Sequence, residues 1–96
     1  MANGKFLLGQ VVTTPGALKV LVRTGALEKV GGALIARHLS GDWGDVPAGD
    51  WKLNDAALTP GKEDRLMSSY MVGDVKVWII TEWDRSATTV LFPDEY

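Results

Sequence analysis

The chain has 96 residues, no cysteine and a formal net charge of −2 at pH 7. Its length suits one domain, so we expect residues 1–96 to fold as a single unit. The lack of cysteine excludes disulfides and thiolate metal sites, and it favours a reducing compartment. The apolar runs fall far short of the roughly 20 residues that span a bilayer. Because the N-terminus also lacks the long apolar core of a signal peptide, we expect a soluble cytoplasmic protein with no membrane contact.

The charges are unevenly distributed along the chain. Residues 1–39 carry five cations and one acid, a balance of +4, whereas residues 40–96 carry eleven acids and five cations, a balance of −6. The cations are spread out rather than clustered, and the acids would repel a phosphate backbone, so we expect no direct nucleic-acid contact. The acidic part would instead suit a basic surface on a protein partner.

Apolar periodicity and turn residues divide the chain into helices followed by strands. Thr14 and Pro15 are typical of an N-cap and a first helical residue. Gly31 and Gly32 lie inside the second helix, where either close packing against another element or a helix break would explain them. The predicted elements are a strand over 6–12, helices over 15–23, 26–39 and 48–58, and strands over 65–72, 75–82 and 87–92. The pattern predicts an α+β fold, with helices packed on a three- to four-stranded, mainly antiparallel sheet that ends in a C-terminal β-meander.

The glycine-rich loop after the second helix concentrates ionisable and aromatic side chains within residues 38–51. His38, the only histidine, is either a structural residue at a helix end or a general base that Asp42 or Asp45 orients. The acids of this loop do not have the spacing of a calcium-binding loop, and such acids more often cap helices. We therefore predict no metal and no cofactor.

Four tryptophans are many for this length. Trp51 and Trp78 occupy positions that predict packing in the core. Trp43 and Trp83 lie in predicted loops, where a large ring either folds over the core or remains available to a partner. Trp83 begins a hairpin turn that continues with Asp84 and Arg85. The predicted partner-binding residues are Asp42, Trp43, Asp45, Trp83, Asp84 and Arg85.

Several blocks resemble one family of small proteins of bacterial plasmids, prophages and integrated elements. The two longest are residues 38–46 (HLSGDWGDV) and residues 76–96, with KVWIITE followed, after Trp83, by DRSATTVLFPDEY. Shorter blocks lie between them, at residues 53–58 and 65–70. Members of the family are labelled plasmid-related or as restriction–modification subunits. The chain departs from the family pattern at Trp83 and over residues 62–64.

The resemblance implies a mobile-element protein in the cytoplasm of a bacterial host. Together with the acidic surface and the loop tryptophans, it favours a binding protein that inhibits a host defence complex, anti-CRISPR or anti-restriction, by protein–protein contact. The expected partner is then a subunit of a CRISPR or restriction complex. The alternative is a small hydrolase or nuclease that uses His38 with Asp42 and Asp45. The oligomeric state, monomer or homodimer, stays open.

Overall fold

The structure is a computed structural model that describes residues 4–96; residues 1–3 of the predicted domain lie outside this part. We label as α2 the continuous helical segment over residues 27–39. The elements in chain order are β1 (Gln10–Thr13), α1 (Pro15–Thr24), α2, α3 (Ala48–Ala57), β2 (Leu66–Val72), β3 (Val75–Thr81), β4 (Ala87–Leu91) and a short 3-10 turn (Pro93–Glu95).

The strands form one four-stranded sheet in the order β1-β4-β3-β2. The last three strands are an antiparallel meander, and β1 pairs with β4 in parallel. The predicted α+β fold is therefore confirmed. The first strand begins later than expected, since Gly9 has a φ of +64° and lies against the Ser86 backbone, where a Cβ would come within 2.4 Å of the carbonyl carbon. Only glycine fits this turn.

The helices begin where local residues predict. The Thr14 side chain accepts a hydrogen bond from the Ala17 amide, and Pro15 is the first residue of α1. α2 consists of an α-helical start (Leu27–Lys29), a π-helical turn (Val30–Leu34) and an α-helical end (Ile35–Leu39). Gly31 and Gly32 thus mark neither a break nor a close contact within the chain: a Cβ on either would meet nothing within 4 Å.

The hydrophobic core lies between one face of the sheet and the first two helices. Leu21 of α1 and Val30 and Leu34 of α2 pack against Tyr70, Val77, Ile79 and Val90. A second cluster, built on Trp43, Ala57 and Leu66, lies under the loop that joins α2 to α3. Trp51 and Trp78 are half-buried, so each contributes only part of its ring to packing.

The outer edge of β2 is covered by the chain itself. The Ser69 amide donates to the Trp43 carbonyl (3.0 Å), and the Asp45 amide donates to the Ser69 carbonyl (2.6 Å). Two residues earlier, the Asn54 side chain of α3 pairs with both backbone groups of Met67, at 2.7 and 3.2 Å. Gly44 has a φ of +75° and could not carry a Cβ, which would lie 2.1 Å from the Ser69 carbonyl oxygen. The loop therefore acts as a cover for a strand edge.

Within residues 4–96, no helix combines the length and apolar character that crossing a membrane requires.

Candidate functional site

His38 lies in the last turn of α2 and is fully buried. Two aromatic rings enclose its imidazole edge-on: Phe6 with a centroid distance of 5.2 Å and Trp43 with one of 5.5 Å. His38 lies on the same face of α2 as Val30 and Leu34, which pack against the sheet, so its side chain also faces the sheet. Hydroxyl groups of β2 and β3 contact the imidazole, and a third hydroxyl, on β4, contacts that of β3.

These hydroxyls form a buried series of hydrogen bonds, and the group at one end fixes which partner donates in the bonds from there to the imidazole. Thr88 Oγ1 donates to the Leu8 carbonyl (2.7 Å), because a carbonyl can only accept. The Thr88 hydroxyl must then accept from Thr81 (2.7 Å), and Thr81 in turn accepts from His38 Nε2 (2.9 Å). Nδ1 of the neutral ring is left as the acceptor for the Ser68 hydroxyl at 2.5 Å.

The surroundings keep this imidazole neutral. Burial, and secondarily the positive charge of Arg85, lower the pKa of His38 to about 4. Both ring nitrogens are committed to hydroxyl partners, and the ring does not reach solvent. The group that the sequence offered as a general base is a structural residue that ties α2 to the sheet.

The two aspartates of the catalytic alternative lie elsewhere. Asp42 forms a surface ion pair with Arg37 (2.8 Å), which holds the pKa of the carboxyl below its usual range. Asp45 is exposed, and its backbone amide pairs with the edge of β2. The hydrolase or nuclease hypothesis required His38 to face an open cleft beside one of these carboxylates, and neither condition is met.

Trp43 corrects a second expectation. Its ring is fully buried in the cluster under the loop, and its indole Nε1 donates to Asp55 at 2.9 Å. A ring in this position cannot contact a partner unless the loop unfolds. Trp43 is therefore a core residue, and the expectation that it forms part of a contact surface is wrong.

Arg85 joins two segments that are distant in the sequence. Its guanidinium donates to the carbonyls of Ala57 (2.8 Å) and Asp64 (2.6 Å), and to those of Glu82 (3.1 Å) and Trp83 (3.2 Å). The side chain thus fixes the turn between β3 and β4 against the chain that follows α3. Because Nη1 and Nη2 both donate to backbone carbonyls, Arg85 has a structural role in this part of the predicted contact surface.

The segments joined by Arg85 present an exposed ring among carboxylates. Trp83 is 62% exposed, the largest exposed fraction among the tryptophans, and Glu82 and Asp84 flank it. Glu63 and Asp64 lie close enough to act electrostatically on the same guanidinium. We call these five residues, Trp83, Glu82, Asp84, Glu63 and Asp64, the Trp83 patch. Local hydrogen bonds lower the pKa of Asp84, chiefly through Ser86, and that of Glu63, so both carboxylates are ionised at neutral pH.

The sequence indicated only part of this patch. The hairpin turn predicts Trp83 and Asp84 as contact residues, but the sequence does not predict Glu82, Glu63 or Asp64. The one hint at these positions was the departure from the family pattern, which covers both Trp83 and residues 62–64. The predicted contact residues Asp42 and Asp45 lie beside the edge of β2 instead, apart from the turn between β3 and β4.

Among the described residues, no three acidic or histidine side chains come together in an arrangement that could hold a metal ion. Comparison with family models, with curated proteins and with solved structures gave no match. The resemblance to proteins of plasmids and prophages therefore stays a prediction.

Proposed function

We propose that the chain is a non-enzymatic binding protein of a mobile element, which inhibits a host defence complex by protein–protein contact. The partner is a CRISPR or restriction subunit that presents a basic surface, of the kind that normally holds nucleic acid. The observation that carries the proposal is the Trp83 patch, in which Arg85 holds an exposed indole and four carboxylates on two joined segments.

The physical chemistry of the patch favours such a partner. Carboxylates mimic the charge of a phosphate backbone, and charge complementarity accelerates and orients association with a basic surface. Trp83 supplies the large apolar area that binding hot spots require. Its rigid setting lowers the entropy cost of ordering the turn on binding.

The experiment measures interference with defence in a bacterial host. The chain is expressed in strains with an active CRISPR or restriction system. Phage plating efficiency is compared with that of the same strain without the chain. The native chain should restore plating in a strain whose system it inhibits. The variant Trp83→Ala with Glu82→Lys should lose this effect, because losing a hot spot of about 2–4 kcal/mol weakens binding about 30- to 1,000-fold.

The matched control carries the same kinds of change outside the patch: Val22→Ala, at an exposed apolar residue of α1, with Glu28→Lys, at an exposed acid of α2. It should inhibit like the native chain. Inhibition that survives the patch variant, or that both variants lose equally while folded, would reject the patch as the contact surface. No inhibition of either type of system by the native chain would reject the function.

A further inference from the structure

The outer edge of β1 is an unpaired strand edge. The Gln10 amide donates to the Ser86 carbonyl and the Thr14 amide to the Val90 carbonyl, each at 3.0 Å, so even-numbered residues direct their backbone groups toward β4. By the alternation of a strand, Val11 and Thr13 direct their N–H and C=O groups away from the sheet. No strand within residues 4–96 pairs with them there.

The two edges of the sheet are treated differently. Asn54 and the loop around Gly44 cover the edge of β2, whereas β1 is short but uncovered, and neither a charged side chain nor a proline lies within Gln10–Thr13. Proteins normally cover, charge or interrupt such an edge because it is a template for another strand. An exposed edge without charges is suited to strand addition, in which main-chain hydrogen bonds supply the affinity.

An apolar groove of about 130 Å³ runs beside this edge, between β1 and α2. Val11, Val12 and Leu27, which line it, are 49%, 40% and 39% exposed. Gly31 also lines it, and no atom of the chain stands within 4 Å of where its Cβ would be. The glycine therefore leaves α2 open to close approach on the side where β1 is unpaired.

We propose that a second copy of this chain docks on the β1 edge, with the two β1 strands antiparallel about a twofold axis. Opposite residues must share a face of the sheet, and the outward backbone groups of Val11 and Thr13 are all paired when Val12 lies opposite Val12 of the other copy and Val11 opposite Thr13 of the other copy. This register pairs only outward-facing backbone groups and forms about four main-chain hydrogen bonds. The second copy fits because the edge is uncharged and complementary to itself, as a twofold interface demands.

The size of the edge sets the strength of the dimer. A four-residue strand and three half-exposed side chains bury less than the roughly 1,200 Å² at which stable interfaces begin, so association is weak and concentration-dependent. We expect a dissociation constant in the range of about 10 µM to 1 mM.

Sedimentation velocity and hydrogen exchange of the intact chain test the proposal. From about 5 µM to about 1 mM, chosen to bracket that range, the sedimentation coefficient should rise from monomer to dimer. In the same series the Val11 and Thr13 amides should gain protection, whereas the Val12 amide, which faces β4, should not change. A monomer throughout, or a dimer without protection at Val11 and Thr13, overturns the proposal.

A charged substitution on β1 tests the same dimer contact. Val12→Lys places two ammonium groups opposite each other in the proposed register, so it should weaken the dimer at least about tenfold. Val22→Lys, at a 58% exposed residue of α1 outside the groove, should dimerise like the native chain. Equal dimerisation of both variants, each shown to be folded by circular dichroism, also overturns it.

Discussion

At the scale of single residues, His38 shows how a group that suggests chemistry can be structural. A buried imidazole must satisfy both nitrogens, and here hydroxyls from two strands do so. The Leu8 carbonyl at the far end of the chain of hydroxyls fixes which nitrogen carries the proton. The arrangement joins α2, all three strands of the meander and the segment before β1 in one buried network.

This network predicts how stability depends on pH. The folded-state pKa of His38 is about 4, below its ordinary value of 6.5, so the unfolded chain binds the proton more readily between these values. The stabilisation is complete above pH 6.5 and is lost as the pH falls toward 4. Urea unfolding should show about 2 kcal/mol less stability at pH 5 than at pH 7 from this group.

The imidazole signals in an NMR titration identify the group responsible. They should shift with a midpoint near pH 4 in the folded protein, since burial disfavours the charged ring. A midpoint near 6.5, with no loss of stability between pH 7 and pH 5, would show that the ring is exposed and that the network is absent.

At the scale of elements, the Asn54 side chain makes the hydrogen bonds to the edge of β2 that a neighbouring strand would otherwise make. Its amide pairs with both backbone groups of Met67, and the residue is 5% exposed. Asn54→Ala leaves two backbone groups at a covered edge without partners, which should lower the free energy of unfolding by about 1–3 kcal/mol. Its neighbour Leu53 is 68% exposed, and Leu53→Ala should change stability by less than about 0.5 kcal/mol. Equal urea midpoints for the two variants would show that Asn54 does not cap the edge.

Local chemistry explains which elements the sequence could predict. The start of α1 follows from Thr14 and Pro15, and the meander follows from alternating strands with short turns between them. Each of these features depends on residues near one another in the chain. The parallel pairing of β1 with β4 and the covering of β2 by the loop depend on contacts between distant residues, which periodicity does not report.

In the candidate site too, features set by nearby residues are predictable from the sequence, and those set by distant contacts are not. Trp83 was recognisable because a large ring in a hairpin turn has little core to join. Trp43 was not distinguishable from it, since its burial depends on α3 and on the Asp55 partner twelve residues away. Glu63 and Asp64 join the patch through the two hydrogen bonds of Arg85 to Asp64 and Ala57, which span 21 and 28 residues.

At the scale of the whole molecule, the chain separates two surfaces with different physical character. The Trp83 patch is acidic and aromatic, and it suits a basic partner. The β1 edge is uncharged and apolar, and it suits another strand. With the proposed inhibitory contact on the first surface and the proposed self-association on the second, a change on one surface should leave the activity of the other intact.

The proposed function requires that the Trp83 patch contact a subunit of the defence complex. Photo-crosslinking in the inhibited host detects such a contact, with a benzophenone amino acid in place of Trp83 or, as the control, of Val22 on α1. We expect an ultraviolet-dependent adduct between position 83 and a subunit of the inhibited defence complex, and none from position 22. Inhibition without an adduct at position 83, or equal adducts from both positions, would contradict it.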